Sequence, residues 1–149
     1  MIGDARSALM TGGCQCGRVR YALYAEPTGA SICHCRMCQK AFGNYMAPLA
    51  GVPLADLDWT RGVLAVFRSS DAVERGFCRD CGTPLTYRVL GRDRISVSIG
   101  SLDDPGRVTP AIQYGIEALL PAFNRLHELP AEPTGEDYGS GSHQHPDHD

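Results

Sequence analysis

The chain has 149 residues, of which 43% are hydrophobic and 21% are charged, and its formal net charge is −3. This size and composition indicate one soluble globular domain, and the acidic balance argues against a nucleic acid partner, because domains that bind nucleic acids carry a basic surface. No apolar run is long enough for a signal peptide or a membrane span. We therefore expect a cytoplasmic protein with no membrane partner.

Composition divides the chain into three parts. Residues 1–10 are expected to form a loosely ordered leader, and residues 11–130 the folded domain. From residue 131 to residue 149 the sequence is polar and rich in Pro and Gly, with almost nothing apolar. Such a segment buries too little surface to offset the entropy lost on ordering, so it is expected to be a disordered polar tail.

Short β-strands dominate the predicted secondary structure. Val19, Tyr21 and Leu23 alternate with other residues and predict a half-buried strand within residues 18–24. Branched and aromatic residues between turn residues predict further strands. These cover 45–50 (broken at Pro48 and ended by Gly51), 63–68, 85–90, 95–99 and 111–114.

The connections between these strands are predicted from turn residues. Arg61–Gly62 is expected to form a hairpin connection into the strand at 63–68, and residues 91–93 to join two later strands. A turn of helix is expected at 39–42, ending at Gly43. No segment shows a helical period beyond about two turns, so the fold class is predicted to be mainly β.

Seven cysteines form two close pairs and one triplet. An odd number would leave one cysteine over in a closed disulfide framework, and in a reducing cytosol clustered thiols are more often metal ligands than disulfides. The pairs are Cys14/Cys16 and Cys78/Cys81, and the triplet is Cys33, Cys35 and Cys38.

The two pairs together supply a complete tetrahedral set of four sulfur ligands, which predicts a structural zinc site. Cys78-x-x-Cys81 followed by Gly82 is typical of the knuckle of zinc ribbons. The alternative is that one or both pairs are free or redox-active thiols. A thioredoxin-type motif would, however, open a helix in a βαβ unit, whereas this motif lies between predicted strands.

The triplet is one ligand short of a closed site, which predicts a zinc ion with an open position for chemistry. Two alternatives remain: a closed site with His34 or His127 as fourth ligand, and thiols that bind no metal stably. Three thiolates leave a net charge of −1 on Zn²⁺, which acidifies a bound water less than three imidazoles do and favours a thiolate as the fourth ligand. Arg36 and Lys40 are nearby cations that either offset this charge or are solvated surface residues.

These cysteine motifs, with their neighbours, resemble those of the glutathione-dependent formaldehyde-activating enzyme (GFA) family, which also includes centromere protein V. The resemblance covers roughly residues 11–130. It rests on Gly13–Gly17, Cys33–Cys38, Arg75–Leu85 and Ser98–Pro105.

The resemblance implies a β-tent fold of twisted antiparallel sheets with a zinc-ribbon-like structural zinc site. It implies two Zn²⁺ per chain: one structural, on Cys14, Cys16, Cys78 and Cys81, and one catalytic, on Cys33, Cys35 and Cys38. The implied reaction is carbon–sulfur lyase chemistry, in which glutathione and formaldehyde give S-hydroxymethylglutathione. Family members often carry a histidine followed by an aromatic residue near Gln113–Tyr114 and a tryptophan near Ala122–Phe123, and here neither the histidine nor the tryptophan is present.

Two other functions are kept open from the sequence. One is a non-catalytic, zinc-stabilised binding module, for which Tyr45 and Trp59 are candidate contact residues, although aromatic residues in strands are usually in the core. The other is a thiol-based sensor that releases zinc on oxidation of the triplet. In the enzymatic interpretation the partner is a small thiol substrate, with glutathione as the first candidate.

Overall fold

The computed structural model describes residues 6–134, which form two β-sheets and a short α-helix. The mainly β prediction is confirmed. The helix, α1, is Arg36–Phe42. The strands are β1 Met10–Gly13, β2 Arg20–Leu23, β3 Thr28–Cys33, β4 Ala47–Pro53, β5 Leu57–Arg61, β6 Ala65–Ser70, β7 Val73–Phe77, β8 Pro84–Val89, β9 Arg94–Ser98 and β10 Ile112–Tyr114. Short 3₁₀ helices are Leu54–Asp56, Ile99–Ser101, Pro105–Arg107, Ile116–Ala118 and Pro121–Glu128.

The strands are divided between a small and a large sheet. The small sheet has the order β1-β2-β5, and the large one has the order β10-β3-β4-β9-β8-β7-β6. Neighbouring strands are antiparallel except β10, which runs parallel to β3 and places Tyr114 opposite Cys33. This edge pairing departs from the antiparallel arrangement that was expected, because a long connection after β9 returns the chain alongside β3.

The core lies between the sheets and buries both faces of β2. Tyr21 and Leu23 are buried as expected, but so are Arg20 and Ala22, which corrects the prediction of a half-buried strand. Arg20 is accommodated because its Nη1 donates to Asp103 Oδ1 at 2.8 Å. A buried cation needs such a partner to offset its desolvation.

The predicted hairpin at Arg61–Gly62 is wrong. Strand β5 pairs with β2 in the small sheet, whereas β6 pairs with β7 in the large one, so the chain changes sheet at Gly62. Gly62 has a positive φ of 71°, and a Cβ there would lie 2.0 Å from the Arg18 carbonyl oxygen. The turn residues were identified correctly, but local sequence does not specify which sheet the next strand joins.

Other differences are smaller. Strand β4 continues through Pro48, which lies opposite Ile32, instead of breaking there. The helix starts at Arg36, earlier than predicted, and ends as expected at Gly43 in the left-handed conformation. Trp59 and Tyr45 are 36% and 39% exposed and so are not core residues.

The ends of the chain are described only in part. Within the predicted leader, Arg6 Nη1 donates to Asp56 Oδ1 at 2.9 Å, and β1 begins at Met10. The rest of the leader, residues 1–5, and most of the predicted tail, residues 135–149, lie outside the described residues. Between residues 6 and 134, no helix has the length and apolar character needed to cross a membrane.

Candidate metal centres

The two cysteine pairs, 62 residues apart in sequence, meet between the ends of strands. Cys14 follows β1, Cys78 follows β7, and Cys81 lies in the turn before β8. All four Sγ atoms lie within 4.8 Å of one another. The Cys14 and Cys16 sulfurs are 3.5 Å apart, and those of Cys16 and Cys78 are 3.8 Å apart. This cluster could hold one metal ion, and four sulfur donors are the set that zinc prefers in structural sites.

Backbone turns orient these thiols as the knuckle motif predicts. Cys78 N–H donates to Thr83 O, and Gly82, with φ of +78°, donates its N–H to Cys78 O at 2.8 Å. Burial raises the pKa of Cys78 to about 12. Burial opposes ionisation of Cys81 as well, but hydrogen bonds from Thr83 and the backbone lower its pKa to about 6. Metal binding would deprotonate all four thiols and release their protons.

The triplet is formed where β3 passes into α1. Cys33 is the last residue of β3, Cys35 is the N-cap residue of α1, and Cys38 lies within the helix. Because a capping side chain folds back over the first turn, Cys35 Sγ accepts the N–H of Cys38 at 3.4 Å. The three Sγ atoms lie within 4.8 Å of one another and could hold a metal ion.

Among the described residues, no histidine, cysteine or carboxylate completes this cluster as a fourth ligand. His34 is buried away from it, since its Nε2 is 2.7 Å from Gln113 Oε1 and its ring is edge-to-face with Phe123 at 4.6 Å. His127 is exposed in the last 3₁₀ helix and is not part of the cluster. The arrangement therefore matches a three-sulfur site with an open position.

The thiols of the triplet have different environments. Burial raises the pKa of Cys33 to about 12. Burial also acts on Cys35, but the backbone N–H of Cys38, the neighbouring thiols and the N–H of Met37 lower its pKa overall. The start of a helix is a favourable place for a thiolate, because backbone N–H groups there point at the sulfur.

Arg75 is a residue of this centre that sequence reasoning missed. It lies on β7, is 4% exposed, and its Nη2 donates to Cys38 Sγ at 3.3 Å. The two cations that the sequence placed near the triplet are engaged elsewhere: Arg36 donates to Gln39 Oε1, and Lys40 is exposed to solvent. The sequence signal for it is weak: Arg75 alternates with Val73 and Phe77, which indicates a charge among apolar residues on one face of a strand but does not identify its partner.

A cavity of about 480 Å³ opens over the three thiols. Apart from Arg75 and the three cysteines, its lining is apolar or carries hydroxyl groups. The other lining residues are Ser31, Met37, Leu49, Ser70, Val73, Tyr87, Ser96 and Tyr114. Enclosure of this kind is typical of small-molecule sites.

The segment that follows β9 closes one side of the cavity. His34 N–H donates to Tyr114 O at 2.8 Å, and Gln39 Nε2 donates to Ala118 O at 3.0 Å. Gln113 and Phe123 of this segment both contact the buried His34, so the segment is anchored on the residue that lies between Cys33 and Cys35.

Two sheets joined through one four-cysteine cluster, with a three-cysteine cluster at the base of a cavity, define a β-protein with two candidate metal centres. The family model described as glutathione-dependent formaldehyde-activating enzyme matches residues 9–117. The chain belongs to this family.

A solved structure supports the fold. The crystal structure of a Rhodobacter sphaeroides protein is similar with a TM-score of 0.56 and 25% sequence identity, covering 70% of this chain and 99% of that one. Among curated proteins, none matches this chain.

Proposed function

We propose that this protein is a zinc-dependent enzyme with carbon–sulfur lyase-type chemistry, which joins a small thiol to a small aldehyde at Cys33, Cys35 and Cys38. One observation carries the proposal: three sulfurs within 4.8 Å of one another lie at the base of a cavity, and no histidine, cysteine or carboxylate among residues 6–134 joins them as a fourth ligand. Membership of the GFA family supports glutathione and formaldehyde as the first substrates to test.

The second cluster has a different role in this proposal. Cys14, Cys16, Cys78 and Cys81 form a complete ligand set, so their zinc ion has no open position and is structural. It connects the end of β1 to the β7–β8 turn, and thereby the small sheet to the large one. The reactive site is then supported by a fold that the first zinc stabilises.

The reaction is a simple addition. The thiolate sulfur donates an electron pair to the carbonyl carbon, a carbon–sulfur bond forms, and the carbonyl π pair moves to oxygen, which takes a proton from solvent. Zinc at the triplet would hold the substrate sulfur as a thiolate that is still electron-rich, because three thiolates already more than neutralise the charge of the ion. Cys33, Cys35 and Cys38 hold the ion, and the apolar part of the lining, such as Leu49 and Val73, excludes water.

The test is turnover of glutathione and formaldehyde by wild-type protein and by Cys35→Ala, followed by exchange NMR of S-hydroxymethylglutathione. We expect the wild type to accelerate adduct formation over the uncatalysed rate and Cys35→Ala to lose at least 100-fold, while keeping its fold and one zinc ion. His127→Ala is the matched control, because His127 is a potential ligand that lies outside the cluster. It should retain full activity.

Three outcomes would contradict the proposal. Full activity of Cys35→Ala would exclude the triplet as the reactive centre. Loss of activity in His127→Ala would favour a closed site. A wild type with two zinc ions but no effect on the reaction with several thiols and aldehydes would favour the non-catalytic alternative.

A further inference from the structure

Arg75 is a buried cation in contact with the triplet. Its three guanidinium nitrogens have separate environments: Nε donates to Ser69 Oγ at 2.9 Å, Nη2 donates to Cys38 Sγ at 3.3 Å, and Nη1 is buried with no hydrogen-bond partner among the described residues. The guanidinium also lies 5.0 Å from the centre of the Tyr87 ring. Ser69 and Tyr87 therefore fix a guanidinium plane against one sulfur of the site.

Burying the Arg75 guanidinium at this position costs free energy unless the three-cysteine centre is anionic. No carboxylate forms an ion pair with Arg75 among the residues that the structure describes, whereas Arg88 on the next strand pairs with Glu74 at 3.4 Å. Burying an unpaired charge is strongly unfavourable. Three thiolates around a divalent ion carry a net charge of −1, which is the charge that one guanidinium balances.

We propose that Arg75 is the counter-cation of the three-thiolate centre and that it determines how firmly Cys33, Cys35 and Cys38 hold their metal. This inference rests on the proposed function, because it assumes zinc at the triplet. Arg75 is a positioning residue, not a ligand: it acts through Cys38 Sγ, which it orients and whose charge it offsets. Removing a residue that hydrogen-bonds to a metal ligand commonly lowers metal affinity by about 10–100-fold.

The inference also specifies the occupant of the open position. With Arg75 included, the metal-loaded centre is neutral, so a substrate thiolate at the open position is not repelled by the net negative charge that three thiolates alone would leave on the ion. Arg75 lines both this cavity and a second one of about 300 Å³ that contains Lys40 and Phe42.

The test is release of zinc to a chromogenic chelator from wild-type protein, Arg75→Gln, Arg75→Lys and the control Arg88→Gln. Cys35→Ala, which retains only the four-cysteine zinc, identifies the phase that belongs to the triplet. We expect Arg75→Gln to release the triplet zinc at least tenfold faster with no change at the four-cysteine site. Arg75→Lys, which keeps the positive charge, should release the triplet zinc more slowly than Arg75→Gln. Arg88→Gln should release it at the wild-type rate.

A merely structural role for Arg75 predicts equal effects on both zinc ions and no recovery with lysine. Unchanged release from Arg75→Gln, or an equal effect of Arg88→Gln, would overturn the inference while leaving the proposed function standing. A wild type that binds a single zinc ion would refute both. Should Arg75→Gln not fold, Ser69→Ala removes the hydroxyl that fixes Nε; faster release from the triplet alone supports the inference, and unchanged release overturns it.

Discussion

Gly115 offers a way to disturb the triplet from outside its ligands. It follows β10 with a φ of +64°, and a Cβ placed on it would lie 2.7 Å from the Cys35 backbone nitrogen and 3.0 Å from Cys35 Cβ. These atoms belong to the N-cap of α1 and cannot move without displacing the sulfur. We predict that Gly115→Ala both destabilises the protein and weakens metal binding at the triplet.

The loss of unfolding free energy expected for Gly115→Ala has two parts, which a matched control separates. Gly29 has almost the same φ, +62°, but a Cβ there would meet nothing within 4 Å. Gly29→Ala therefore measures the left-handed backbone strain alone, about 1 kcal/mol. Gly115→Ala carries the same strain and a steric overlap of about 1–3 kcal/mol, as in overpacked cores. The expected total is about 2–4 kcal/mol.

Urea unfolding with excess zinc would give the two free energies of unfolding, and chelator competition would give zinc release from the triplet. Gly115→Ala should lose at least 1 kcal/mol more than Gly29→Ala and release its triplet zinc about tenfold faster, because Cys35 is displaced. Equal unfolding free energies and equal release for the two variants would refute the close packing of this segment on Cys35.

Further predictions concern the fold and the anchoring of the last strand. Asp103→Asn removes the carboxylate charge that faces buried Arg20 and should cost about 3–5 kcal/mol in urea unfolding, whereas a loss below 1 kcal/mol would contradict a stabilising buried pair. Cys78→Ser should abolish cooperative unfolding, because structural zinc contributes on the order of 10 kcal/mol; a native near-UV circular dichroism spectrum would argue against a zinc-dependent fold. Gln113→Ala leaves His34 Nε2 without its partner and should cost about 1–3 kcal/mol, and an unchanged unfolding midpoint would show that this contact contributes nothing.

The features predictable from sequence are those encoded by short spacing. Alternation of apolar residues located most strands, and Gly43 located the end of α1. The spacing of Cys33, Cys35 and Cys38 predicted one cluster, since a strand end and a helix cap bring these residues together without any long-range contact. Cys14–Cys16 and Cys78–Cys81 are far apart, but the chemistry of a four-sulfur site required them to meet.

Features that depend on how strands associate were not predictable. The change of sheet after β5, the parallel docking of β10, and the burial of Arg20 follow from pairings between distant segments. Arg75 contacts Cys38 across 37 residues of sequence, and only the order of strands in the large sheet brings them together. An arginine in a strand is common in sequences, and the role of Arg75 can be inferred only once the structure places it against the Cys38 thiol.

The proposed function requires metal at the three-cysteine cluster, so the number of zinc ions per chain tests it without any assumption about the substrate. The measurement uses full-length wild type and Cys35→Ala, purified without added metal and compared by elemental analysis. We predict two zinc ions for the wild type and one for a folded Cys35→Ala, as the proposed function requires. One zinc ion in both proteins would contradict it, because the triplet would then be a group of thiols without a metal.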